Sequence, residues 1–231
     1  MPRVAGSAAV VIASILVLAG CASTTDPSAA PTRSAATSPV ASPSVTPTPT
    51  PTKSSLAELV LEPGGLGALR IGSPVPDTGP AELAIVHWNP THCEDVPDYG
   101  GAWEPAYPID PNGAFGETVP FAVGTTDGGR TAPVIAIQTF SPQLRTATGI
   151  QVGSTVAELK AAYPAGFATR THGLYTDTYA VDGPGGRLLF EAYDGSSDAG
   201  GLDTVAIISA VRPGTEPYTL IPGDAFYGSC A

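Results

Sequence analysis

The sequence predicts an α+β domain: antiparallel β-sheet carrying short helices on one face and built from two related repeats. Three observations carry that expectation. The segments Leu69-Arg70-Ile71-Gly72-Ser73-Pro74-Val75-Pro76-Asp77 and Ile150-Gln151-Val152-Gly153-Ser154-Thr155-Val156-Ala157-Glu158 match in pattern at a constant offset of 81 residues, and self-similarity at a fixed period marks a repeated structural unit. In the second segment Thr155 and Glu158 form a Thr-x-x-Glu capping box, the sequence mark of a helix start. After each segment come short runs rich in β-branched and aromatic residues, separated by clusters of Gly, Asp and Ser, which is the pattern of hairpins.

Taken in chain order, the 231 residues open on Arg3 and an eleven-residue apolar run, Ala8 to Leu18, interrupted only by Ser14. A run of that length is too short to span a bilayer comfortably, and residues 1–20 read as a signal peptide. Leu18-Ala19-Gly20-Cys21 closes it. This tetrapeptide resembles the lipobox of bacterial lipoproteins, and the resemblance implies cleavage before Cys21 after its thiol has received a diacylglyceryl group. Two acyl chains at about 0.8 kcal/mol per buried methylene make a lasting anchor. The mature chain is therefore expected on the extracytoplasmic face of the cell membrane, held by lipid at Cys21.

Residues 21–55 form a tether. From Ala22 to Ser55, 29 of 34 residues are Pro, Ser, Thr or Ala, a composition that has nothing with which to build a core. The Thr-Pro alternation from Thr46 to Thr52 favours polyproline-II geometry; at about 3.1 Å per residue such a tether reaches up to roughly 100 Å from the lipid surface. The tether and the abundance of Ala, Gly and Pro resemble those of actinobacterial lipoproteins.

Residues 56–231 are long enough to bury a real core as one globular domain, with repeats at about 66–145 and 146–231. This part carries seven basic against twenty acidic residues, a net charge of −13. That balance excludes nucleic acid and anionic polymers as partners. With Cys21 lipidated, Cys93 and Cys230 are the remaining thiols in an oxidising compartment, and they are paired as a disulfide. Zinc is the rival use, since His87, His92, Cys93, Glu94 and Asp95 cluster; the paired Cys-x-x-Cys spacing of a structural zinc site is absent. No metal or cofactor is assigned.

Within the second repeat, Val156, Leu159, Ala162 and Tyr163 mark one face of a short helix ending before Pro164, and Tyr175–Val181, Leu188–Tyr193 and Val205–Val211 read as strands. In the first, Pro74 suits a first helical position, Pro76 and Pro80 keep any helix brief, and Val119–Val123 and Val134–Gln138 read as strands around a turn at Thr125–Arg130. A strand, a Gly-Ser helix cap and a small helix, duplicated and followed by strands, resemble the tandem repeat of the β-lactamase inhibitor protein family and its lipoprotein relatives. That resemblance implies the fold. It transfers no functional residue, because the first copy departs through its prolines and a long insertion around residues 88 to 116.

That insertion supplies the candidate working surface. Between Ile71 and Gly129 there is no Lys or Arg, against nine acidic residues, and the stretch holds Trp88, Tyr99, Trp103 and Tyr107 in Pro-, Gly- and Asn-rich sequence that reads as loop. Rigid aromatics on loops make a recognition patch for a basic protein, a cationic ligand or a sugar; packed against the Cys93 disulfide they make a satellite core instead. Asp194, Asp198 and Asp203 punctuate one loop without the order of an EF-hand, which favours solvated hairpin acids over calcium. Gly195-Ser196-Ser197-Asp198-Ala199 lacks the final glycine of a nucleophile elbow, and no Ser-x-x-Lys, His-Glu-x-x-His or phosphate-cradling loop occurs. The expected function is a noncatalytic binding module for a protein or small ligand at the cell envelope; the alternative is an envelope hydrolase whose site is dispersed in sequence. For the disulfide, the intact mass of the non-reduced mature chain is expected to show no thiol available to alkylation; two alkylated cysteines would contradict it.

Overall fold

Two runs rich in Val and Ile, Val134–Thr139 and Val205–Val211, pair side by side at the centre of the main sheet. The computed structural model describes residues 53–75, 84–92, 94, 100–164, 169–194 and 203–221. A 3-10 turn, Leu56–Glu58, leads into β1 (Val60–Glu62), β2 (Gly65–Leu66), β3 (Leu69–Arg70), β4 (Val86–Asn89), β5 (Ala102–Pro105), β6 (Asp110–Gly113), β7 (Gly116–Thr118), β8 (Phe121–Thr125) and β9 (Val134–Thr139). Then follow β10 (Arg145–Thr146), α1 (Val156–Ala162), β11 (Thr169–His172), β12 (Thr176–Gly183), β13 (Gly186–Tyr193) and β14 (Val205–Val211). The described residues thus form a sheet-rich fold, mostly antiparallel, with one α-helix.

The main sheet has eight strands in the order β11-β12-β13-β14-β9-β8-β5-β4, every pair antiparallel. Its two halves answer each other residue by residue. Across the centre Ser209 pairs with Gln138, Ile208 with Thr139 and Ala210 with Ile137, so a two-fold axis through the Gln138–Ser209 pair exchanges Ile137 with Ile208. Counting outward, one row runs Ile137, Val123, Trp103, Trp88 and its counterpart runs Ile208, Phe190, Tyr179, Arg170. The two echo segments dock in the same manner. Gly72 N–H donates to the Val134 carbonyl (2.8 Å) and Val134 N–H to that of Ser73 (3.0 Å), while Gly153 N–H donates to Val205 (2.8 Å) and Val205 N–H to Ser154 (2.8 Å). Gly72 and Gly153 hold φ of 83° and 88°, a left-handed turn open to glycine at little cost.

One face of the sheet carries the main core. Phe121, Ile137, Leu188, Phe190 and Ile208 meet Leu61, Leu66 and Leu69 of the small β10-β1-β2-β3 sheet, Ile85, and Val156 and Leu159 of α1. The helix begins where the capping box requires: Glu158 N–H donates to Thr155 Oγ1 (3.2 Å) and Thr155 N–H to the Glu158 carboxylate (2.8 Å). It is seven residues long and buries Val156 and Leu159. The stretch after Val75, where the first copy's helix was expected, lies outside the described residues.

Antiparallel sheets commonly leave one face to water, but all seven residues of β14 are buried. Over β11–β13 the second face is covered by an extended strap, Thr215–Ile221. Thr171 and Thr178 hydroxyls donate to the Pro217 and Tyr218 carbonyls (3.2 and 2.8 Å), and Arg187 donates to that of Thr215 (2.7 Å). Glu191 closes the attachment. Its carboxylate, 3% exposed, accepts from Leu220 N–H (2.8 Å), Ile221 N–H (2.9 Å) and the Thr176 hydroxyl (2.7 Å). Tyr218 packs on Ala136, Ala180, Leu189 and Val211, and Leu220 on Ile207 and Phe140.

Three expectations from the sequence need correction. The 88–116 region is not loop throughout: Trp88 on β4 pairs directly with Trp103 on β5, and β6 begins at Asp110. The first-half strand runs Phe121–Thr125 rather than Val119–Val123, leaving Val119 41% exposed. Pro74, expected at a first helical position, instead forms an antiparallel bridge with Pro133, and Thr176–Val181 are buried on both faces because the strap covers the outer one.

Burial pushes the Glu191 carboxyl above its ordinary 4.5, and its three hydrogen bonds only partly pull it back. The folded chain therefore binds a proton there more tightly than the unfolded chain does. The resulting stabilisation is complete below 4.5 and is lost as pH rises through the folded-state value. In urea unfolding, Glu191→Ala, which strands the buried Leu220 N–H and the half-buried Ile221 N–H, is expected to cost about 2–4 kcal/mol. Glu191→Gln cannot ionise, so the stability of the natural chain relative to it is expected to fall with pH above 4.5; a flat difference would contradict the assignment.

Candidate functional site

The first half of the sheet departs from the second in its connections. The β11–β12 and β12–β13 links are short, at residues 173–175 and 184–185, whereas their counterparts in the first half span 90–101 and 106–120. Described residues of both insertions, His92 in the first and Tyr107, Ile109 and Val119 in the second, border the second face of β4, β5 and β8 and line a cleft of about 350 Å³. Side chains alternate across a strand, so the positions flanking the core residues Trp103 and Phe121 face the cleft. Its floor holds His87, Ala102, Glu104 and Ala122, and its walls hold His92, Tyr107, Ile109 and Val119.

Each wall is pinned. Tyr107 donates its hydroxyl to the Ser54 carbonyl (2.7 Å), lies under the Lys53 ammonium (4.5 Å to the ring) and leans on Phe121. The β6–β7 hairpin is fixed by Asp110, 3% exposed, which accepts from the Ser141 hydroxyl, the Gln143 amide (3.0 Å) and Asn112 N–H (2.9 Å). Burial alone would raise the Asp110 carboxyl; those donors outweigh it and hold the group below its ordinary range. Ile109 (60%) and Val119 (41%) remain exposed on this insertion, as does Phe115.

The polar centre of the cleft is Glu104. Asn89 Nδ2 donates to its Oε1 at 2.8 Å, His92 Nδ1 stands 2.7 Å from the same oxygen, and His87 Nε2 is 3.3 Å from Oε2. Desolvation raises the carboxyl, but the hydrogen bonds of Asn89 and His92 and the charges of the two imidazoles outweigh it, and the pKa is lowered. An ionised carboxylate only accepts, so the imidazole nitrogens facing it carry protons. Asn89 is itself oriented by Thr91, whose N–H and hydroxyl both reach its Oδ1 at 3.0 Å. The arrangement is a preorganised anion, about one-third exposed, at the base of a largely apolar cleft.

The aromatic residues singled out in the sequence divide between the two faces. Trp103 is 7% exposed in the main core and donates Nε1–H to the Arg130 carbonyl (3.2 Å), and Trp88 meets it edge-on at 5.5 Å. Tyr107 stands in the cleft wall, and Tyr99 lies outside the described residues. Cys21, Cys93, Cys230 and Asp198 lie outside them as well. Asp194 faces His172 Nδ1 at 3.8 Å beside the closer Asp177 (2.9 Å), while the Asp203 carbonyl accepts from Val156 N–H at the start of α1. Among the described residues no group of three His, Cys, Asp or Glu side chains has the geometry to hold a metal ion.

Sequence reasoning missed Glu104. The signal was the alternation Val86-His87-Trp88-Asn89 against Ala102-Trp103-Glu104, which places His87 opposite Glu104 once the two tryptophans are paired. Comparison of the chain with family models, with curated proteins and with solved structures found no match.

Proposed function

We propose that this chain is a lipoprotein, anchored through Cys21 to the extracytoplasmic face of the cell membrane, whose domain is a noncatalytic binding module for a protein or small ligand. The cleft over β4, β5 and β8 is its binding site. The observation that carries this reading is the pair of insertions: they occur only in the first half of the sheet, and their contribution is a walled cavity with an oriented carboxylate and exposed apolar side chains. Concave sites with mostly apolar walls and a few fixed polar groups are where ligands bind. Further support comes from the lipobox-like Leu18-Ala19-Gly20-Cys21 and the tether that follows it. Among the described residues no helix is long and apolar enough to cross a membrane.

The domain belongs to this proposal as a duplicated α+β unit, related in plan to the β-lactamase inhibitor protein family, with the capped helix α1 in its second repeat. The matching hydrogen bonds of Gly72–Ser73 and Gly153–Ser154 favour duplication. Catalysis gains no comparable support. The Tyr107 hydroxyl, which lines the cleft with His87 and Glu104, is committed to the Ser54 carbonyl.

Two measurements on the full-length chain test the proposal. Palmitate is expected to label the chain, and Cys21→Ser is expected to abolish the label and release the protein from membranes. Bait carrying Ile109→Asp and Val119→Asp, two exposed positions, is expected to keep its melting temperature and lose the envelope component that the natural chain retains. Equal retention by both baits would remove the cleft from the function.

A further inference from the structure

We propose that the cleft takes an extended segment of a partner polypeptide bearing a basic side chain, laid over the first half of the sheet as the chain's own strap is laid over the second. This rests on the reading of the cleft as the binding site and names its ligand class.

The pseudo-two-fold supplies the first argument. Under the axis through Gln138 and Ser209, Ala102 corresponds to Thr178, Ala122 to Leu189, Asn89 to Thr171 and Glu104 to Ala180. In the second half those positions lie beneath the extended strap: Thr171 and Thr178 bond its carbonyls, and Ala180 and Leu189 pack under Tyr218. Their counterparts in the first half line the cleft or orient its carboxylate. The same surface geometry is filled by extended chain in one half and presented between two walls in the other.

Charge supplies the second argument. The counterparts of Thr178 and of Glu191, which clamp the strap's backbone, are Ala102 and Gly124, so a segment in the cleft loses that backbone capture. In exchange a carboxylate stands at Glu104, where the second half has Ala180. Capture shifts from main chain to side chain. A ligand side chain at the place of Tyr218 would reach Glu104, and the chemistry that complements an ionised, oriented carboxylate is an ammonium or guanidinium. The segment from Ile71 to Gly129 offers no Lys or Arg of its own. The flanking Ile109 and Val119 suit apolar neighbours of that basic residue, since alternate side chains of an extended segment reach the same surface. Residues 222–231 of this chain carry Asp224 and no basic residue, which argues against them as the occupant.

The probe is an acetylated and amidated peptide of the strap sequence Pro217–Ile221 with Tyr218→Arg, titrated against the full chain in detergent micelles by fluorescence anisotropy. Saturable binding is expected, at least tenfold tighter than for the same peptide with Tyr218→Glu. Glu104→Gln and, independently, Val119→Lys are each expected to weaken it at least tenfold, and Val119→Lys, at an exposed position, is expected to leave the melting temperature unchanged. The proposal is overturned if the arginine and glutamate peptides bind alike, or if both variants bind as the natural chain does. It is equally overturned if replacing the tail aromatics, Phe226→Asp with Tyr227→Asp and Cys230 kept, is what creates the binding, because the tail would then be the occupant. Loss of envelope capture in the Ile109 and Val119 baits together with failure of the arginine peptide would reject this ligand class alone; unchanged capture would reject the cleft itself.

Discussion

The constraint on which the rest of the structure depends is that an eight-stranded antiparallel sheet, joined through β9 and β14, has two faces to cover. The central strands cannot leave either face to water, since Ile137, Ile207, Ile208 and Val211 point to both. Burying such side chains is worth roughly 1.5–3 kcal/mol each, so the covering elements are part of the fold's stability rather than decoration on it. The first face is closed by the small sheet and α1. The second is closed unevenly, and that unevenness is where the binding reading begins.

At one end the covering is a strap of extended chain with few regular hydrogen bonds of its own. Leu220 and Ile221 donate to a buried glutamate, and two threonines bond the strap's carbonyls. Glu191 is a compromise between two opposed effects. Removing a carboxylate from water is costly, while three aimed donors recover part of that cost, and the balance leaves its proton more tightly held than usual. At the other end no such clamp occurs among the described residues. The 106–120 insertion, anchored by Asp110 and Tyr107, stands there instead, and the acidic group moves to Glu104 in the floor.

Much of the frame was legible in the sequence. The runs at Leu188–Tyr193, Val205–Val211 and Val134–Gln138 became strands because short, mostly apolar runs rich in Val, Ile, Leu and aromatic side chains suit positions buried on both sides. The Thr155–Glu158 box marked the helix start because its two side chains satisfy end groups that nothing else reaches. What escaped depends on contacts distant in sequence. Four-residue strands in a Gly- and Pro-rich stretch carry little period, so β4 and β5 became visible only through the Trp88–Trp103 pairing. The cleft escaped for the same reason, since His87 and His92 were noticed beside Cys93 but their carboxylate comes from the next strand. Nothing local to Glu191 marks it as buried; the strap, 29 residues further on, makes it so.

The uneven covering of the second face is tested most directly by amide hydrogen exchange on the natural chain under native conditions. If Glu191 holds the strap, the Leu220 and Ile221 amides exchange far more slowly than in an unstructured peptide, with protection close to that of the β13 amides beneath them. Exchange at the unstructured rate for both, while β13 and β14 stay protected, would mean that the strap is not seated and that the contrast between the two halves of the sheet does not exist.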